Sequence, residues 1–357
     1  MTAIPADKFS IKRGKDVQPS PRVSVVMPAY NVSRFIASAI GSVKAQTYQS
    51  FELIVVNDGS PDTEALEAVL SPFFDEIIYV SQANLGAGPA RNRAIDLARG
   101  ELIAFLDADD EWLPGHLAEL VPMIDDGLDM AYANAELFGD AAPSDHTFME
   151  SAPSAGEVTV SSLLNFSCNV ITSGTIVRKS VLAAAGSFES VDTRAQDFHL
   201  WVRIARSGAR IGFTDKVLLR YRVHTENLSG DSIARVEREI AVFDRVKKTI
   251  PLTPAELSIL ERQLRGLEID LEIEKGKAHL MNRDFPAARN SFRLANVARP
   301  SFKLRAVCLA AKFAPNLLLI LFRRRRADHL GLIRTEAAAS NWAVFSVISG
   351  LLRLFSD

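Results

Sequence analysis

The chain has 357 residues, 48% of them hydrophobic and 24% charged, with a formal net charge of −2 at pH 7. That balance allows a sizeable core, in one large domain with an appendage or in two modest domains. The near-neutral charge excludes a general nucleic-acid binder. Two cysteines, Cys168 and Cys308, make no zinc or disulfide framework, which points to a reducing, cytoplasmic setting.

Residues 1–20 are polar with scattered Lys and read as a disordered lead-in, not a signal peptide. Val23 to Met27 reads as a buried strand ended by Pro28. Ser33 is placed to cap a helix whose apolar face is Ile36, Ile40 and Val43. Phe51 to Val56 gives a second strand, stopped by Asn57-Asp58-Gly59-Ser60. Another helix follows, then a third strand, Ile77 to Val80. Asn84 to Pro89 is a Gly-rich turn opening a helix with Ala90, Ala94 and Leu97 on one side, and Leu102 to Leu106 is a fourth strand. This alternation predicts an α/β fold with parallel pairing and helices on both faces. Ligands in such sheets bind beyond the carboxyl ends of the strands. Pro28 to Asn31, Asp58 to Ser60 and Asp107 to Asp110 therefore share one edge.

Beyond Ala131 the pattern loosens. Gly139 to Ser154 reads as a long surface loop, Val170 to Val177 as a strand, and Asp197 to Ser207 as a helix with Phe198, Trp201, Val202 and Ala205 facing inward. After Ser229 come long charged helices, with one tetratricopeptide-like hairpin at Ala278 to Phe292. The C-terminus holds an apolar run, Ala314 to Phe322, four arginines, Arg323 to Arg326, and a second apolar run, Trp342 to Phe355. Two readings stay open for these runs: attachment to the surface of an anionic leaflet, or packing on the domain or a second subunit. No apolar run is long enough to span a bilayer.

The chemistry concentrates at Phe105-Leu106-Asp107-Ala108-Asp109-Asp110. A buried strand ending in clustered acids is costly unless a positive group sits there. Asp107 and Asp109, two apart, can both reach one point beyond the strand end, which suits a hard cation such as Mg²⁺ or Mn²⁺. The competing reading is an acidic turn capping the helix that starts near Pro114.

Six motifs in order resemble the family 2 glycosyltransferases, inverting enzymes of the GT-A fold. They are Val23 to Asn31, Val55 to Ser60, Asn84-Leu85-Gly86 with Ala90-Arg91-Asn92, Phe105 to Asp110, Gly186 to Glu189 with Gln196 to Arg203, and Tyr221-Arg222-Val223-His224 with Ser229. The resemblance covers about residues 21–230. It implies a Rossmann-like mixed sheet flanked by helices over 21–230. A helical appendage at 231–300 and apolar, basic helices at 301–357 would form an α-helical C-terminal extension.

The resemblance also implies roles. Pro28, Ala29 and Tyr30 would line a nucleotide pocket, Tyr30 being alternatively a rim residue. Asp58 would accept from the N3–H of a uracil ring, or merely satisfy its turn. Arg91 would meet a diphosphate, or pair with Asp107. Asp107 is expected near the ribose and metal, Asp109 as a direct metal ligand, and Asp110 as a helix cap or a support for the site. Asp197 is the expected catalytic base, although it could instead cap its helix; Gln196 stands where the family commonly has a second acid. Trp201 falls in the acceptor-side segment but reads as core, and His199 as exposed. His224 would complete the metal site or be structural. Arg222 would reach the diphosphate.

The implied partners are a nucleotide-diphosphate sugar, expected to be UDP-linked, and a glycan or lipid-linked glycan acceptor, in bacterial surface polysaccharide assembly. Acceptor choice would reside in Gly139 to Ser154 and Val170 to Arg178. The C-terminal helices could join copies of the chain or hold it at the inner membrane face. A sugar-nucleotide nucleotidyltransferase is the rival enzyme class, but Pro28 to Ser33 lacks the Gly-rich basic loop expected of one. A non-catalytic scaffold is the other rival.

Overall fold

A computed structural model describes residues 9–140, 142, 146–189, 196–223 and 232–329, with side chains as far as Arg323 in the last helix. The first half alternates: β1 (Phe9–Arg13), β2 (Val23–Ala29), α1 (Ile36–Lys44), β3 (Phe51–Asp58), α2 (Thr63–Leu70), β4 (Ile77–Gln82), α3 (Ala87–Leu97) and β5 (Leu102–Phe105). Then come β6 (Glu111–Trp112), α4 (His116–Asp125), β7 (Met130–Phe138), α5 (Phe148–Ser151), α6 (Val160–Leu164), β8 (Thr175–Arg178), α7 (Lys179–Ala185), α8 (Gln196–Arg206) and β9 (Ile211–Arg222). The rest is helical: α9 (Ser232–Thr249), α10 (Pro254–Met281), α11 (Phe285–Ala298), α12 (Phe302–Phe313) and α13 (Pro315–His329).

Among the described residues one sheet holds nine strands, in the order β1-β4-β3-β2-β5-β8-β7-β9-β6. Strands β4, β3, β2 and β5 are parallel, as continuous apolar runs joined by helices require. β8 runs antiparallel to both β5 and β7, and β7 pairs parallel with β9. Strand residues alternate between two buried faces. Val25, Met27, Leu53, Val55 and Tyr79 pack with α1, α2 and α4 on one side. Phe105 meets Trp201 of α8 on the other, at 6.1 Å between ring centroids. Each fully buried Val, Ile or Leu contributes about 1.5–3 kcal/mol relative to exposure. This burial on both faces holds the strand ends in place.

The described chain forms two compact units: Met1–Gly230 with Ala241–Glu261, and Asp231–Ile240 with Arg262–Asp357. The sequence division at 230 is thus crossed. Val242, Phe243 and Val246 are apolar and buried, and they belong with the sheet-bearing unit. The second unit has its own core, built from Leu280, Ala288, Phe292, Val307, Ala311, Leu318 and Leu319. Among the described residues no helix is long and apolar enough to cross a membrane. The run Trp342 to Phe355 lies outside them.

Three expectations fail locally. The lead-in is not disordered throughout, because Phe9–Arg13 pairs with β4 as an edge strand. Backbone pairing supplies that order, assisted by Arg93 stacked over the Phe9 ring and Lys12 over Phe74. Ser33 does not cap α1, because its amide donates to Asp62 Oδ2 at 2.9 Å and the helix starts at Ile36. The strand expected over Val170 to Val177 begins only at Thr175. Thr172–Gly174 is instead a short 3₁₀ turn.

Candidate active site

The topology sets the site. β2, β3, β4, β5, β7 and β9 all point their carboxyl ends at one edge. β8 runs the other way, so the turn before it, Thr172–Gly174, arrives at the same edge. Asp58 closes β3, Asp107 to Asp110 follow β5, and Arg222 closes β9. Asp58 and Asp107 are separated by the end of β2, and two strand spacings put them about 10 Å apart.

The turns at this edge are stapled together. The Asn31 amide donates to Ser60 Oγ at 2.6 Å, and the Ser60 amide donates to Asn57 Oδ1 at 2.9 Å. Gly59 has φ +63°, and a Cβ there would come within 2.5 Å of the Asn84 amide nitrogen, so a side chain is excluded twice over. Asp58 is buried and accepts from Gln82 Nε2 (2.8 Å), the Leu85 amide (3.0 Å) and the Gly86 amide (2.7 Å). It therefore ties the end of β3 to the Gly-rich turn that opens α3. Of its roughly four acceptor positions, three are used by the chain itself. Pro28 is half-buried and Tyr30 is 50% exposed at the rim, whereas Ala29, expected to line the pocket, is fully buried in the core.

The acids gather around two buried groups. Arg91, on α3, donates to Asp107 Oδ1 at 2.5 Å. Burial works against its charge. Asp107 first, then Asp197 and Asp109, nevertheless hold its pKa above the ordinary arginine value. Tyr221 on β9 is the second group. Its hydroxyl is pushed upward by burial and then by Asp110, Asp107, Asp109 and Asp197. All four acids thus bear on Tyr221, and three of them on Arg91, although Asp197 is far from the others in sequence. Arg222 adds positive charge: its Nε donates to the Asp109 carbonyl at 2.8 Å and its Nη2 to Glu111 at 3.0 Å.

Asp110 does not cap a helix. It is buried, and its carboxylate accepts from Ser173 Oγ at 2.5 Å and from the Arg222 amide at 2.8 Å. Burial, then Asp109 and Asp107, raise its pKa well above the usual carboxylate range. Ser173 Oγ also accepts from the Asp107 amide at 3.2 Å, so one hydroxyl joins the two acids. Its neighbour Thr172 donates Oγ1 to Asp197 Oδ2 at 2.9 Å, and the Phe198 amide donates to Asp197 Oδ1 at 2.8 Å. The sequence assigns Thr172, Ser173 and Tyr221 no role of their own: the first two fall inside the segment expected to choose the acceptor, and Tyr221 inside the closing motif. Two hydroxyls in an apolar stretch carry no pattern of their own, and only the reversed direction of β8 brings them here.

Other expected residues land elsewhere. Trp201 is 2% exposed and sits edge-on to Phe105 and Phe188, so it is core and not an acceptor contact. His199 is buried, not exposed. Its Nε2 lies 2.8 Å from Thr249 Oγ1, and burial lowers its pKa to about 4. Gln196 lies over the start of α3, where a Cβ on Gly88 would fall 1.5 Å from its Oε1. His224 and Ser229 lie outside the described residues.

A divalent ion fits the donors at this edge. Asp107 and Asp109 offer hard oxygen ligands, and Asp110, raised first by burial and then by Asp109 and Asp107, stands beside them. Among the described residues no three His, Cys, Asp or Glu side chains are grouped to hold an ion unaided. Such an ion would complete its shell with ligand oxygens and water.

The model of the glycosyl transferase family 2 matches residues 24–191. The amylovoran biosynthesis glycosyltransferase AmsB of Erwinia amylovora is 32% identical, over 57% of this chain and 70% of that protein. The chain belongs to the family 2 glycosyltransferases. WfgD of Escherichia coli, a UDP-Glc:α-D-GlcNAc-diphosphoundecaprenol β-1,3-glucosyltransferase, is 29% identical to this glycosyltransferase over 61% of the chain and 83% of that protein. With an uncharacterized glycosyltransferase of Rickettsia felis, at 32% identity, the match spans only 35% of the relative's length. Among solved structures, the Pyrobaculum calidifontis mannosyltransferase in complex with GDP-Man and Mn²⁺ aligns with TM-score 0.58 at 21% identity, over 87% of this chain and 85% of that one. Staphylococcus aureus TarS 1-349 in complex with UDP-GlcNAc aligns with TM-score 0.55 at 19% identity, over 89% and 95%. These likenesses establish the GT-A fold for the glycosyltransferase.

Proposed function

We propose that the chain transfers a sugar from a nucleotide-diphosphate donor, UDP-linked, to a hydroxyl of a glycan or lipid-linked glycan, with inversion at the anomeric carbon. One observation carries the reading: the adjacent hydroxyls of Thr172 and Ser173 hold Asp197 and the Asp107–Asp110 turn together at the carboxyl edge of the sheet, where Arg91 pairs with Asp107. Two acids suited to a diphosphate-bound cation and a third acid from another element are what displacement of a nucleotide diphosphate needs. The names of AmsB and WfgD support assembly of a surface polysaccharide on a lipid carrier, and WfgD supports UDP as the nucleotide.

In this reading Asp197 takes the proton of the attacking hydroxyl. Thr172 and the Phe198 amide fix its two oxygens. Asp107 and Asp109 would hold Mn²⁺ or Mg²⁺, with His224 a third candidate ligand. An ion held there would supply positive charge for the departing diphosphate. Arg91 and Arg222 keep that corner positive while Asp110 and Ser173 fix the loop. Asp58 has one acceptor position left for the base, and Pro28 and Tyr30 flank it, with Ala29 buried between them. Gln196 rests on α3 and leaves Asp197 as the single acid of its pair. Base and leaving group on opposite sides of the sugar give in-line attack and inversion.

The test is donor hydrolysis. The protein should release UDP from a UDP-sugar when Mn²⁺ is supplied, lose that activity in EDTA, regain it on Mn²⁺ addition, and lose it permanently as Asp109→Ala. A folded protein that releases no nucleotide from any nucleotide sugar would overturn the reading in favour of a scaffold.

A further inference from the structure

The helix α12 is apolar on two opposite sides. Leu304, Val307 and Ala311 are buried against the core of the second unit. On the other side Phe302 is 87% exposed, Leu309 58% and Phe313 72%. These three fall at i, i+7 and i+11, which at about 100° per residue places them in one narrow stripe along the helix. Arg305 and Lys312, seven apart and both exposed, run beside the stripe on one flank. Exposed aromatic and aliphatic side chains in such a row are uncommon on a free protein surface.

The charge around the stripe selects its occupant. Between Asp284 and Asp328 the chain carries ten Lys or Arg and no Asp or Glu, in a protein whose overall net charge is −2. A second copy seated two-fold on this face would set Arg305 and Lys312 against their own counterparts. An anionic lipid surface has no such conflict. We propose that α12 lies in the headgroup region of an anionic leaflet, with Phe302, Leu309 and Phe313 among the upper acyl chains and Arg305 and Lys312 on lipid phosphates. An interfacial helix needs an apolar stripe, a basic flank and a fixed orientation, and the packed inner face of α12 supplies the third. The proposal does not depend on the catalytic reading, since its assay measures binding without turnover.

The experiment is cosedimentation of the full chain with vesicles of phosphatidylcholine alone or mixed with phosphatidylglycerol. The protein should pellet with the mixed vesicles, remain in solution with the neutral ones, and be released by high salt. Phe302→Ser with Phe313→Ser should weaken binding to mixed vesicles at least about tenfold, since each ring gives up buried apolar area. Arg305→Gln with Lys312→Gln should weaken it by about tenfold as well. Both pairs are on the surface and should melt as the parent does. Pelleting that ignores lipid charge, or full binding by the Phe302→Ser/Phe313→Ser protein, would overturn the proposal. So would dimerisation in vesicle-free solution that the same pair abolishes, which would make the stripe a contact between copies.

Discussion

Glu52 and Asp109 stand at opposite ends of the same sheet and answer the problem of a confined carboxylate differently. Glu52, second residue of β3, is fully buried but fully answered. It accepts from Ser24 Oγ (2.7 Å), the Arg99 amide (2.7 Å), Arg99 Nε (2.9 Å) and Arg99 Nη2 (2.7 Å), with Arg13 at 3.9 Å. At the carboxyl end Asp107, Asp109, Asp110 and Asp197 gather where Arg91 pairs with Asp107 and Arg222 pairs with Glu111, and burial together with the neighbouring acids raises Asp110 and Tyr221. A buried acid with its own cation is a structural joint; a group of acids short of cations is a place prepared for a positive ligand.

Mutations should separate the two ends. The largest effect is expected for Asp197→Asn, which should lower sugar transfer by about two orders of magnitude or more while donor binding stays nearly intact. Its stability should move by less than about 0.5 kcal/mol, because the change relieves like-charge repulsion as it removes the base. Parent-like turnover would take Asp197 out of the role. Glu52→Ala should do the reverse. Urea unfolding should show a loss of about 2–3 kcal/mol, below the usual figure for a broken buried pair because Arg99 is one-third exposed. Turnover per folded molecule should be unchanged; a fall in turnover without a fall in stability would erase the distinction. The smallest effect belongs to Thr172→Val, which keeps shape and removes one donor to Asp197. A drop of about tenfold in kcat, with the donor KM unchanged, is the expected result.

The edge that carries the proposed site was legible where a strand announces itself. Val23 to Met27, Phe51 to Val56 and Leu102 to Leu106 are continuous apolar runs, and the residues that end them carry the polar chemistry. Arg91 with Asp107 was open between two roles, and the structure shows the ion pair without excluding a ligand. What could not be read depends on pairings distant in the chain. Ser173 reaches Asp110 only because β8 inserts antiparallel between β5 and β7. His199 is buried by Thr249, fifty residues away, in a helix that sequence texture assigned to the appendage. The outer stripe of α12 was overlooked because its apolar residues occupy both sides, which blurs the single-sided period that marks an ordinary surface helix.

β1 bears on handling as well as architecture. Its pairing with β4, from Phe9 with Gln82 to Arg13 with Ile78, covers the outer backbone groups of β4, and Lys12 and Arg13 put charge on the edge that remains. A chain trimmed to begin at residue 20 would keep every residue assigned to catalysis and yet bare the whole length of Ile77–Gln82. Strands so uncovered recruit one another, and the shortened enzyme should precipitate from concentrated solution long before it unfolds.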